Sequence, residues 1–136
     1  MKKFFKSLVA IMLIAMISIS FTSCGIPNDP TKTKTNLEKE GYSVAYLSDA
    51  ISLTTQEALF DVSRGGLVGV VTGTNSNGSE MVVVYYCKDG KVAKTVYDKI
   101  KAEYDAADAE EKKDTAVGKS GKVVWMGTKA AIKAAK

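Results

Sequence analysis

The chain has 136 residues, with 19 Lys and Arg against 15 Asp and Glu, two Cys, two Pro and no His. That length holds one domain. Without His there is no Ser-His-Asp or Cys-His nucleophile pair, no imidazole base, and no His-held zinc or haem.

Lys2, Lys3 and Lys6 precede a 14-residue apolar run, Leu8 to Phe21. A basic start, an apolar run of this length and small residues after it predict a secretory signal peptide over residues 1–23. The run falls short of the ~20 residues that a spanning helix needs. Removing residues 1–23 removes three lysines and leaves 113 residues, 16 of them basic and 15 acidic. The apparent basicity therefore belongs mostly to the leader, and no nucleic-acid partner is expected.

Phe21-Thr22-Ser23-Cys24 resembles the lipobox of bacterial lipoproteins, with Phe21 where Leu is usual. The resemblance implies cleavage before Cys24, a diacylglycerol on its sulfur and often an acyl group on the new amino terminus. It makes Cys24 the lipidation site and the membrane a partner. The protein is then expected on the extracytoplasmic side of the cell membrane. Cys87 is left alone, either as a buried free thiol or as one half of an intermolecular disulfide.

Gly25 to Thr35 (GIPNDPTKTKT) holds both prolines and shows no apolar periodicity. With Cys24 it reads as a lipidated tether over 24–35, followed by a single domain over 36–136. Asn36–Glu40 is a short charged helix begun a few residues earlier, which Gly41 can end in the left-handed conformation. Tyr42 to Leu47 alternates as a strand does. Thr54-Thr55-Gln56-Glu57 has the spacing of a capping box opening a short helix. Its apolar side would be Ala58, Leu59, Phe60 and Val62, with Gly65-Gly66 as the stop. A short strand within Ile51–Phe60 is the alternative.

Leu67–Thr74 and Glu80–Lys88, rich in Val, Thr and Tyr, flank Asn75-Ser76-Asn77-Gly78. Asn and Gly tolerate the positive φ of a tight turn, so this is a hairpin. Its second strand is apolar on both faces and belongs in the middle of a sheet. Val92, Val96, Ile100, Tyr104 and Ala107 recur at helical spacing, which predicts a long helix over Lys91–Lys113. Gly118–Gly121 reads as a turn, Lys122–Gly127 as a strand, and Thr128 as the cap of a terminal helix. The order predicts an α+β fold. It would be a two-layer sandwich, with a mostly antiparallel sheet of about four strands and the long helix on one face.

Gly118-Lys119-Ser120 looks like the end of a phosphate-binding loop, but Lys113 stands where the loop needs Gly and a strand follows instead of a helix. No Gly-x-Ser-x-Gly elbow and no Ser-x-x-Lys pair exists. Asp105, Asp108, Glu110 and Glu111 lie among lysines and read as a solvated helix surface. They have no calcium-loop spacing. No metal, no cofactor and no catalytic residue is expected, so the chain reads as a non-catalytic protein.

Tyr42, Tyr46, Tyr85, Tyr86 and Trp125 all fall on expected strands and form the candidate binding face. Such a face could stack on a sugar, a peptide or a partner protein. Lys129, Lys133 and Lys136 share one face of the last helix and read as a solubilising surface or as a contact for anionic lipid or wall polymer. The mature domain also resembles small lipoproteins of Gram-positive bacteria that have no assigned activity. The likeness rests on Asn36–Tyr42 (NLEKEGY), on Tyr85-Tyr86 before a long charged helix, and on Gly121–Lys133 (GKVVWMGTKAAIK). It implies an α+β fold and no functional residue beyond Cys24. The expected function is a membrane-anchored binding module. The alternatives are an accessory subunit of a cell-envelope complex and, third, an enzyme with an unrecognised carboxylate or metal site.

Overall fold

The computed structural model describes residues 25–136, so the leader and the lipidation position Cys24 lie outside the described residues. Helix α1 spans Pro30–Lys39. Pro30 costs nothing at the first helical position, and Asp29 caps it by accepting the Thr31 N–H at 2.9 Å. Six residues of the expected tether are therefore helical. Thr33 and Leu37, four apart, are both fully buried. The helix is invisible to an apolar pattern because half of its buried stripe is a threonine, whose hydroxyl shares a hydrogen bond with that of Tyr86.

Strand β1 (Ser43–Leu47) leads into α2 (Ala50–Leu59). The cap of α2 is Asp49, which accepts the Ser52 N–H at 2.8 Å, and not Thr54. Thr54 sits one turn inside, donating to the Ala50 carbonyl at 2.7 Å. Glu57 is turned inward, 4% exposed, and its carboxylate accepts the Leu67 N–H at 3.0 Å.

The hairpin forms as expected from β2 (Leu67–Thr74) and β3 (Met81–Cys87). Asn75 closes it by accepting the Glu80 N–H through its side chain at 3.0 Å, and Gly78 takes φ +73°. A bulge at Val68 shifts the register at the start of β2. Helix α3 (Gly90–Ala106) is capped by Asp89, and buries Ala93, Val96 and Ile100. It is shorter than expected. Ala107 is extended, and Asp108 caps a separate short helix, α4 (Ala109–Lys113).

Thr115–Ser120 forms an additional strand, β4, where a turn was expected over Gly118–Gly121. The turn is narrower, with Gly121 at φ +60° leading into β5 (Val123–Thr128). Thr128 then caps α5 (Lys129–Ala135) by accepting the Ala131 N–H at 3.3 Å.

The sheet has five strands in the order β1-β2-β3-β5-β4, all antiparallel, with β3 in the middle. The α+β class and antiparallel sheet are as the sequence predicts, and the strand count is five, not four. Period-two alternation sends Val82, Val84 and Tyr86 to one face and Tyr85 and Cys87 to the other. The Tyr85 face packs against Leu53 and Phe60 beside α2, and Ala93, Val96 and Ile100 of α3. The Tyr86 face packs against Leu37 of α1, Ala131, Ile132 and Ala135 of α5, and Ile26. The expected two layers are thus three. The second helical layer comes from the two chain ends, whose polar sequence hides how small residues such as Ala131 and Ala135 pack flat on a sheet.

Candidate functional site

The five aromatics do not make one exposed face. Tyr85 lies on the α2/α3 side, edge-to-face with Phe60 at 5.0 Å between ring centroids. Burial pushes its phenol up to about 12, with the Glu103 carboxylate adding to the effect. Tyr86 lies under α1 and donates to the Pro27 carbonyl at 3.2 Å. Burial pushes it also up to about 12. Trp125 lies flat over Gly118, where an added Cβ would come within 2.6 Å of the ring. Tyr46, on edge strand β1, covers Gly69 in the same way and is the most exposed of the five at 37%. Trp125 and Tyr46 use strand glycines as the flat floor that an aromatic ring needs. Tyr86 and Trp125 are core because the second helical layer covers the face that the sequence left open, and Tyr85 is core under α2 and α3.

Tyr42 is different. Its ring packs in the core, but its hydroxyl reaches a cleft of about 570 Å³ at the β2–β3 turn end of the sheet. Three separate segments build the cleft. The last turn of α1 and the residues after it bring Asn36, Lys39, Glu40 and Tyr42. The hairpin turn brings Asn75 and Glu80. Helix α5 brings Ala130, Lys133, Ala134 and Lys136.

The cleft's polar groups are held in place by each other. Tyr42 Oη donates to Glu80 Oε2 at 3.1 Å, and Asn75 Nδ2 donates to the same oxygen at 3.1 Å. Asn36 Nδ2 donates to the Ala135 carbonyl at 3.3 Å, tying α1 to α5. Burial, the Glu80 charge, and the hydrogen bond to that carboxylate raise the Tyr42 phenol well above its ordinary value. It stays protonated and acts as a donor. Among the described residues Lys39 and Lys133 make no ion pair. Their ammonium groups, with that of Lys136, line the cleft opposite the Glu40 and Glu80 carboxylates. The arrangement can bind a polar molecule, with cations for an anionic group and the Glu80 carboxylate for hydroxyl or amine donors.

Sequence reasoning placed Lys133 and Lys136 on one helix face but missed Asn36, Lys39, Glu40, Asn75 and Glu80 as partners. No spacing signal joins them, because they meet only through the fold. Lys129 stands apart, its ammonium donating to the Lys113 carbonyl at 2.9 Å. Of the acidic residues near the end of α3, Asp105 pairs with Lys101 at 2.6 Å and Asp108 is a cap. Glu111, expected on a solvated surface, is 3% exposed, and its Oε1 has no hydrogen-bond partner. Among the described residues no three Cys, Asp or Glu side chains converge on a metal-sized site. Cys87 is free and buried, and burial pushes its thiol up to about 12.

Comparison of the chain with protein-family models, with curated proteins and with solved structures finds no match.

Proposed function

We propose that this protein is a membrane-anchored extracytoplasmic lipoprotein whose domain is a non-catalytic binding module. The anchor is the lipid on Cys24. The ligand site is the cleft between α1, the β2–β3 turn and α5, and it takes a small polar molecule, or one unit of a polymer, that carries negative charge. The observation that carries this reading is the convergence of Lys39, Lys133 and Lys136 on a cleft whose Asn75, Glu80 and Tyr42 are already ordered by mutual hydrogen bonds. Groups fixed before binding lose little entropy when a ligand arrives. A protonated phenol, two side-chain amides and three ammonium groups supply donors and charge, which is a binding set.

The test is a titration of the full chain with an anionic polyol polymer such as poly(glycerol phosphate) and with a neutral glucan of similar size, followed by the NMR signals of the Asn36 and Asn75 amides. The anionic probe should shift those signals. Lys39→Glu and Lys133→Glu should each weaken binding about tenfold, the effect of ~1.4 kcal/mol. Raised salt should weaken it further, as expected for a charge-driven contact. Equal response to both probes, or binding that both variants leave unchanged, would overturn the assignment of the cleft.

A further inference from the structure

The start of the described chain is packed, not trailing. A Cβ added to Gly25 would lie 3.1 Å from the Ser120 Cβ and 3.5 Å from the Trp125 ring. Ile26 is 3% exposed within the core under α1 and α5, and the Pro27 carbonyl accepts the Tyr86 hydroxyl. The chain thus enters the body beside the last residue of β4. Consecutive Cα atoms lie ~3.8 Å apart, so one residue adds little reach to the point at which the chain enters the body. A lipid on Cys24 would have no tether between it and the folded body, so the end of the body at Ser120 must meet the bilayer.

Strand direction says what else lies at that end. It holds the ends of β1, β3 and β4 and the starts of β2 and β5. Lys119 and Lys122 flank the β4–β5 turn. The Cys87 N–H donates to the Lys122 carbonyl at 2.9 Å and the Lys88 N–H to that of Gly66 at 2.9 Å, which brings in Lys88 and the Arg64 loop. Lys91 opens α3 beside them. All five side chains are exposed and none makes an ion pair among the described residues. The acidic groups at this end are the helix caps Asp29, Asp49 and Asp89, the buried Glu57, whose carboxylate accepts the Leu67 N–H, and Asp61, which is paired with Lys99 at 2.7 Å. Each of these carboxylates is engaged by a cap, a buried hydrogen bond or an ion pair, so the five basic side chains are the exposed charges of this end that make no ion pair among the described residues. Two exposed apolar side chains, Val68 at 51% and Ile51 at 82%, lie at the same end. The cleft lies at the other, beside the β2–β3 turn.

We propose that this basic end is a contact surface for anionic lipid headgroups, holding the domain upright on the bilayer with the cleft facing away from it. The proposal rests on lipidation of Cys24. Charge complementarity to an anionic leaflet and the point where the chain leaves the body argue for the same end independently. The anchor fixes one point, and the basic residues around it fix the tilt.

The test uses the full chain made and processed in a bacterial host, reconstituted into vesicles with roughly 30% phosphatidylglycerol or with phosphatidylcholine alone. A single Ser63→Cys at the basic end, or Ser76→Cys in the β2–β3 turn, carries a fluorophore; buried Cys87 does not compete for the label. A nitroxide quencher is carried on the lipid headgroups. In anionic vesicles the label at 63 should be quenched about threefold more than that at 76, and high salt should narrow the gap as screening predicts. Lys88→Glu with Lys122→Glu should narrow it as well. Equal quenching at both positions, or a gap as large in neutral vesicles as in anionic ones, overturns the lipid contact. Intact mass separates the two readings: a chain with no acyl group on Cys24 overturns the anchor and this orientation together, whereas an acylated chain with equal quenching overturns the orientation alone.

Discussion

Trp125 and Gly118 face each other across the β4–β5 ladder, and the absence of a side chain on one is the condition for the other. Gly118→Ala forces the indole off the sheet, because the new methyl group would sit 2.6 Å from ring atoms. The expected loss is ~1–3 kcal/mol, the range for overpacked cores. Urea unfolding followed by the fluorescence of this single tryptophan measures both the loss and the displaced ring.

The buried acids also make a pH prediction. Cys87, ordinarily near 9, and Tyr85 and Tyr86, ordinarily near 10, are each pushed up to about 12 by burial. The folded state therefore holds protons that the unfolded state gives up. Stability from these groups is fully present below pH ~9 and is lost as the pH rises toward ~12. The urea midpoint should fall over that window, and Tyr85→Phe should remove part of the fall. A midpoint as high at pH ~11 as at pH ~8 would contradict it.

Individual elements differ in how plainly the sequence announces them. The β2–β3 hairpin is legible because two Val/Thr runs flank Asn75-Ser76-Asn77-Gly78, so strand propensity and turn chemistry agree. Helix α3 is legible from Val92, Val96 and Ile100. Its early stop at Ala107 is not, since Asp108 looks like one more charged helix residue and acts instead as a cap. Strand β4 escapes notice because TAVGKS is short, polar at its end and holds a glycine whose purpose lies on the neighbouring strand. In α2 the cap is Asp49, five residues before Thr54, and the extra turn it adds brings Leu53 into the core. Helix α1 escapes because its buried side is Thr33 and Leu37. Leu37→Ala should cost ~2–5 kcal/mol, the cost of a core truncation. A detachable tether would show almost no change, so thermal unfolding of this one variant separates the two descriptions. Asp29→Ala should cost ~1 kcal/mol by removing the cap.

At the scale of the whole molecule, polar chain ends close the second face of the sheet, and this decides where function can lie. Tyr86 and Trp125 become core once α1 and α5 pack over them, and the aromatic face that the strands suggested does not exist as a surface. What remains accessible is a cleft where the two chain-end helices meet the hairpin turn. Of its members, Tyr42, Lys133 and Lys136 were visible in the sequence as individual residues. Their association was not, because residues 36–42, 75–80 and 130–136 come together only through the fold. The point where the chain enters the body and the cleft lie at opposite ends of the sheet, so on the proposed lipidation of Cys24 a ligand would be met on the side away from the membrane.

We propose that a lipid on Cys24 holds this body at the membrane. The most direct measurement is incorporation of labelled palmitate into the chain made in a bacterial host, compared between the wild type and Cys24→Ala. Label is expected in the wild type and none in the variant, with the mature chain beginning at Cys24. Label retained by Cys24→Ala, or a wild-type chain in the membrane fraction with an unmodified Cys24, would contradict it.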